Sequence, residues 1–141
     1  MGFFSKLKSA VGIGNPKIEV QLESNQVKRG DSIRGTISIT GASGEVPVTA
    51  LLLEFVEIIT EERWSETTKK YEKHDVEKTL GKVNLPKGGY KIKEGETISD
   101  KFEIAVSTGA YISAYPTSHK IKASADVPGL DPRSKQEIFI L

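Results

Sequence analysis

The chain has two imidazoles, His74 and His119. Either could ligate a metal or act as a general base, but neither stands in an HxxH or HExxH spacing. Cysteine is absent, which excludes the sulfur-ligated zinc sites. His74 lies among Glu72, Lys73 and Asp75, and His119 begins a strand after a loop. Both read as surface or strand-end residues. Glu54, Glu57, Glu61, Glu62 and Glu66 are candidates for paired carboxylates. Glycoside hydrolysis needs two such groups facing across a sugar-sized cleft. These five instead follow one strand into its hairpin end, with Lys69, Lys70 and Lys73 falling opposite. Cross-strand charge pairing accounts for them.

Other chemical motifs are incomplete. No GxSxG elbow presents a nucleophilic serine. Gly88-Gly89 lacks the Lys-Ser/Thr of a phosphate loop, and Gly12-Ile13-Gly14 follows a helical stretch instead of preceding one. Arg29-Gly30-Asp31 is a tripeptide in a turn. Asp126, Asp131 and Arg133 gather around a Pro-Gly-Leu-Asp-Pro turn. Calcium takes about six to eight oxygens, so the two aspartates are expected to bond turn N–H groups instead. Trp64, Tyr71, Tyr90, Tyr111 and Tyr115 could stack on sugars or bases if they converged. Trp64 is the only tryptophan and lies beside Arg63 near a predicted hairpin tip. That pair has the composition of a binding anchor; its alternative is to fold back onto its own hairpin.

The elements that position these residues are strands. Ile18, Val20 and Leu22 alternate with polar residues, and so do Ile33, Gly35, Ile37 and Ile39. Lys28 to Asp31 is a turn between them, and 41–47 is a loop. Segment 48–60 is apolar on both faces: Leu51, Leu53, Phe55 and Ile59 on one, Leu52, Val56 and Ile58 on the other. Such a strand is either bulged or covered on its outer side. A long hairpin follows, with its tip near 63–68 and its return strand through 69–80 and on to 83–85. Pro86 to Gly89 breaks the pattern, and 93–96 is a turn. Further strands hold Ile98 to Val106, 119–126 and 137–141, with a Ser/Gly/Tyr loop at 107–117. Seven or eight short strands with turn signals predict an all-β, two-sheet antiparallel β-sandwich over 15–141.

Residues 1–14 differ. Phe3, Phe4, Leu7 and Val11 share a helical face, and Gly12, Gly14 and Pro16 end it. A helix of about ten residues is not stable alone in water. It is expected to dock on the outer apolar set of the sheet, with contact to a partner, weak contact to a membrane surface, or disorder as its rivals.

The 141 residues fit one domain. A net charge of +1 gives no footprint for nucleic acid. Absence of cysteine is compatible with a reducing cytoplasm. No apolar run approaches the roughly 20 residues of a membrane-spanning helix. Lys6 stands where a myristoylation signal has Ser or Thr.

Three segments carry a family resemblance: MGFFSKLKSAVGIG at 1–14, VKRGDSIRGTISITG at 27–41 and HKIKASADVPGLDPRSKQEIFIL at 119–141. The chain resembles the sporulation-control M family, whose fold is arrestin-like, a relative of the immunoglobulin sandwich. The resemblance implies a non-enzymatic cytoplasmic adaptor or regulatory scaffold without a cofactor. Typical members carry two sandwiches in tandem, so this chain resembles a single-domain member. The expected partner is another protein or a second copy in a homodimer. The candidate contact residues are Phe3, Phe4, Leu7, Arg63, Trp64 and Tyr71, together with open sheet edges. The alternative reading is a carbohydrate- or small-ligand-binding sandwich using Trp64, Tyr111 and Tyr115.

Overall fold

The computed structural model describes residues 16–85, 89–129 and 131–141. The expected helix of 1–14, with Phe3, Phe4 and Leu7, lies outside the described residues.

The described residues form ten strands: β1 Lys17–Leu22, β2 Gln26–Val27, β3 Ser32–Thr40, β4 Glu45–Val48, β5 Ala50–Ser65, β6 Lys70–Leu85, β7 Tyr90–Lys93, β8 Thr97–Ala105, β9 Thr117–Asp126 and β10 Arg133–Ile140. One sheet has the order β1-β3-β8, and the other has the order β2-β10-β9-β5-β6. Their facing sides supply the core. Ile33, Ile37, Ile39, Phe102 and Ile104 come from the first sheet; Leu53, Phe55, Ile121, Ile138 and Ile140 come from the second. Period-2 alternation sends these side chains inward while their neighbours face out.

The strand count exceeds the expected seven or eight, for local reasons. β4 contains Pro47, and β7 follows the Pro86 break. Each sequence reads as a connection, yet the two pair with each other as a separate ribbon. β2 spans two residues and is found only through its parallel pairing with β10, from Phe139 to Gln26 and Ile140 to Val27. The second sheet is therefore mixed, not wholly antiparallel. β10 starts at Arg133, four residues before the expected 137, because Pro132 already closes the turn. In that turn Asp131 Oδ1 accepts from the Val127 N–H at 3.2 Å, the expected stapling role. Gly30, at φ +91°, turns the chain between β2 and β3, and the Asp31 N–H closes the loop onto the Lys28 carbonyl at 3.0 Å.

The dual-faced strand is β5, which keeps one phase through Leu51, Leu53, Phe55 and Glu57 and is not itself bulged. A bulge lies in its partner: Phe55 faces Gly81 and Val56 faces Thr79, leaving Leu80 as the extra residue on β6. On the outer face Val56 is buried, with Leu52 and Ile58 half-buried. Across the sandwich, a Cβ at Gly81 would stand 2.7 Å from Ile104 Cγ2. Glycine there lets the edge of β6 close against β8.

Phe55 should tolerate truncation least. Phe55→Ala removes a fully buried ring and is expected to cost about 3–5 kcal/mol, read as a lower urea midpoint at unchanged slope.

Candidate functional site

β5 outruns its neighbour. Its pairing with β9 ends at Ile59 opposite Thr117. The Thr60 N–H then bonds the Pro116 carbonyl at 2.9 Å. From Glu61 onward β5 has only β6 beside it, and the two strands project as a ribbon to a turn at 66–69. The turn holds Lys69 at φ 57° and is tied by the Lys69 N–H to the Ser65 carbonyl at 2.8 Å.

Trp64 and Tyr71 stand directly opposite each other on this arm. Their rings meet edge to face, with centroids 5.3 Å apart. Trp64 therefore does lean on its own hairpin, yet it stays 49% exposed and Tyr71 69% exposed. Trp64 Nε1–H donates to Glu66 Oε1 at 2.9 Å, while Lys69 Nζ donates to Glu66 Oε2 at 2.7 Å. Lys69 foremost, and then Trp64, hold the Glu66 carboxyl below its usual range. Two positions back on the same face, Lys73 Nζ lies 5.7 Å from the Tyr115 ring centroid. The arm thus presents Trp64, Tyr71, Lys73 and Tyr115 toward one side.

Arg63 does not join them. As Trp64's neighbour in a strand it points to the opposite face, where it pairs with Glu61 at 2.9 Å. Of the expected cross-strand charge pairing, Glu62 stands opposite Lys73 in register with no ion pair between them, and Lys69 pairs with Glu66 within the turn. His74 is a surface residue, opposite Glu61.

Three of the four edges of the two larger sheets are blunted; β1 is the fourth. β6 is an edge for its whole length, but it carries alternating lysines and acids and the Leu80 bulge. β8, an edge of the other sheet, turns Asp100 toward the core side among Ile98, Phe102 and Ile104. β2 is too short to template a strand. These are the features that discourage strand addition.

A second cluster is buried, against the expectation of a surface or strand-end His119 and of a charge-paired Glu57. His119 is 2% exposed and Glu57 5% exposed. They stand directly opposite each other on β9 and β5, on the same face as Phe55 and Ile121. His119 stacks on Phe55 at 5.6 Å. Its Nδ1 lies 2.6 Å from Ser113 Oγ, and its Nε2 lies 3.5 Å from Glu57 Oε1. The second distance gives Coulomb attraction but no aligned hydrogen bond, and Nε2 has no other partner among the described residues. Ser113 Oγ also accepts the Ile140 N–H at 2.8 Å, and the Ser113 N–H donates to the Ile140 carbonyl at 2.8 Å. The Ser113 hydroxyl proton has two acceptors in reach, Nδ1 and the Ile138 carbonyl at 3.5 Å; when it goes to Nδ1, Nε2–H is left toward Glu57.

Serine, histidine and glutamate in series suggest an acyl-transfer triad. The geometry argues otherwise. The Ser113 hydroxyl receives a main-chain N–H and clamps the 107–116 loop to the end of β10. That holds the oxygen as a strut and leaves it poorly placed to attack. The sequence carried the signal for this cluster: Glu57 has the parity of Leu51, Leu53 and Phe55, and His119 that of Ile121 and Ala123.

Trp64, Tyr111 and Tyr115 do not converge. Tyr115 lines a cavity of about 390 Å³ with Lys120 and Phe139. Tyr111 lines a different one of about 280 Å³, and Trp64 lines neither. The aromatic groove required for a sugar site is not formed by these three. Among the described residues no group of three or more His, Cys, Asp or Glu could hold a metal, and no helix is long and apolar enough to cross a membrane.

The family model for the SpoOM protein matches residues 4–139. The chain belongs to that family. The family's solved structures include the sporulation control protein Spo0M from Bacillus subtilis, which superposes with a TM-score of 0.77 at 19% identity. The match covers 91% of this chain and 50% of that one. This chain therefore spans half the length of that relative, and at such identity the likeness establishes a shared fold. Comparison with curated proteins gave no match.

Burial pushes His119 below the ordinary imidazole value of 6.5, with the Glu57 carboxylate opposing it. The unfolded chain then takes up this proton before the folded chain does. Stability is full above about pH 6.5 and falls as the pH drops toward the folded-state value. The urea midpoint should decline between about pH 7 and pH 5, and His119→Gln should flatten that decline. An identical slope in wild type and variant would remove His119 as its source.

Proposed function

We propose that this chain is a non-enzymatic, cytoplasmic regulatory scaffold of the SpoOM family that engages a protein partner through the outer face of the β5–β6 arm. Trp64 and Tyr71 form the contact pair, and Lys73 and Tyr115 extend it toward the body. Family membership and the likeness to the sporulation control protein of Bacillus subtilis support a regulatory part over a catalytic one.

The observation that carries the reading is the exposed Trp64–Tyr71 pair at the end of a ribbon with no sheet neighbour. Large aromatic side chains dominate contact energies because they bury area at low entropic cost. Here they sit on an element that can reach a partner without disturbing the core. The blunted edges weigh against strand addition as the binding mode. The partner can be a different protein or a second copy, because the same patch would serve either.

The test is Trp64→Ser with Tyr71→Ser. The double variant should lose less than about 1 kcal/mol of folding stability and weaken association at least about tenfold. Association is read by co-purification from the native cell and by light scattering for self-association. Retention of the same partners and the same solution mass would contradict the arm as the contact surface.

A further inference from the structure

At the end of the sandwich where β6 and β8 approach each other, a cavity of about 280 Å³ opens between the two sheets. Phe55, Leu80, Ala110 and Tyr111 provide apolar wall, and Glu57 and Lys78 are its charged lining residues. The Leu80 bulge and the loop after β8 shape it. The cavity is separate from the arm and shares no residue with the Trp64 face.

Glu57 is the informative member. It is 95% removed from solvent, counting from its 5% exposure. Among the described residues its carboxylate has no well-aligned hydrogen-bond donor, His119 Nε2–H being too far for more than a weak one. Its one close ionisable neighbour is His119 Nε2 at 3.5 Å. Lys78 stands opposite it in register but remains exposed, and no described acid lies within ion-pair distance of it. A buried carboxylate ordinarily recruits a partner, because leaving it without one is costly. Here the carboxylate lines a space whose apolar walls are Phe55, Leu80, Ala110 and Tyr111 and whose polar lining includes Ser107 and Lys78.

We propose that this cavity binds an alkylammonium group, as a lysine side chain presents it. The aliphatic stem lies against Tyr111, Leu80 and Phe55, and the ammonium donates to Glu57. This matches the lining point by point: apolar walls for the methylenes, and one buried anion for the cation. Lys78 at the mouth is a competing cation that weakens the site. The inference does not depend on the arm as a contact surface, and the two fail separately.

The test is an NMR titration of the full chain with N-acetyl-lysine methylamide, its uncharged isostere N-acetyl-norleucine methylamide, and butylamine. The lysine derivative should shift the amide signals of Glu57, Leu80 and Tyr111. Glu57→Gln, checked for unchanged folding, should weaken it about tenfold, the loss of one charge-assisted hydrogen bond. Tyr111→Ala, at a position 64% exposed, should also weaken it, and Lys78→Gln should tighten it. Butylamine binding as well as the lysine derivative assigns the site to free amines; tighter binding of the lysine derivative assigns it to a peptide. Equal binding of the norleucine compound, unchanged affinity in Glu57→Gln, or no shift at tens of millimolar ligand would overturn the proposal.

Discussion

The register of β5 governs this molecule. Leu51, Leu53 and Phe55 must all face the core, and burial of each contributes about 1.5–3 kcal/mol. A slip of one residue would turn the whole set to solvent. Once those three are fixed, the rest of the strand has no freedom. Glu57 goes inward because it is two residues beyond Phe55. Trp64 goes outward because it has the opposite parity. β9 and β6 then take their places on either side, and the long ribbon must continue past the end of β9.

The inward Glu57 is a cost that the fold offsets by a chain of contacts instead of one strong bond. His119 is forced inside by its own register, directly opposite. Ser113 reaches in from the loop and bonds both the imidazole and the main chain of Ile140. The polar cluster thereby fastens a loop of irregular backbone to the last strand. Buried polar networks of this kind specify one arrangement more than they add stability. The same cluster leaves one carboxylate facing a cavity, so structural and binding roles can meet in a single residue.

Much of this was legible in the alternation of residues. The β1, β3, β8 and β9 patterns, the dual-faced β5 and the return through β6 all follow from parity, and the resemblance at 119–141 led to the family. What escaped has identifiable causes. Pro47 and the break at Pro86 disguised β4 and β7, whose pairing is a long-range event. β2 is two residues long and exists only through β10. Arg63 and Trp64 were grouped by adjacency, although neighbours in a strand face apart. Charge suggests pairing for Glu57 and a surface or strand-end place for His119, whereas their parity places both inside. Self-complementary lysines and glutamates on β6 were read as pairing signals, and they also defend an edge.

An arm that carries exposed aromatics beyond the body, with the β6 and β8 edges protected against strand addition, favours recognition by side chains over recognition by main chain. The most direct measurement is photo-cross-linking in the native cell, with a photoreactive residue placed in turn at Tyr71 on the arm, Lys82 on the β6 edge and Thr97 on the β8 edge. The account predicts a discrete adduct from position 71 and none from 82 or 97. Adducts from either edge position, with none from 71, would contradict it.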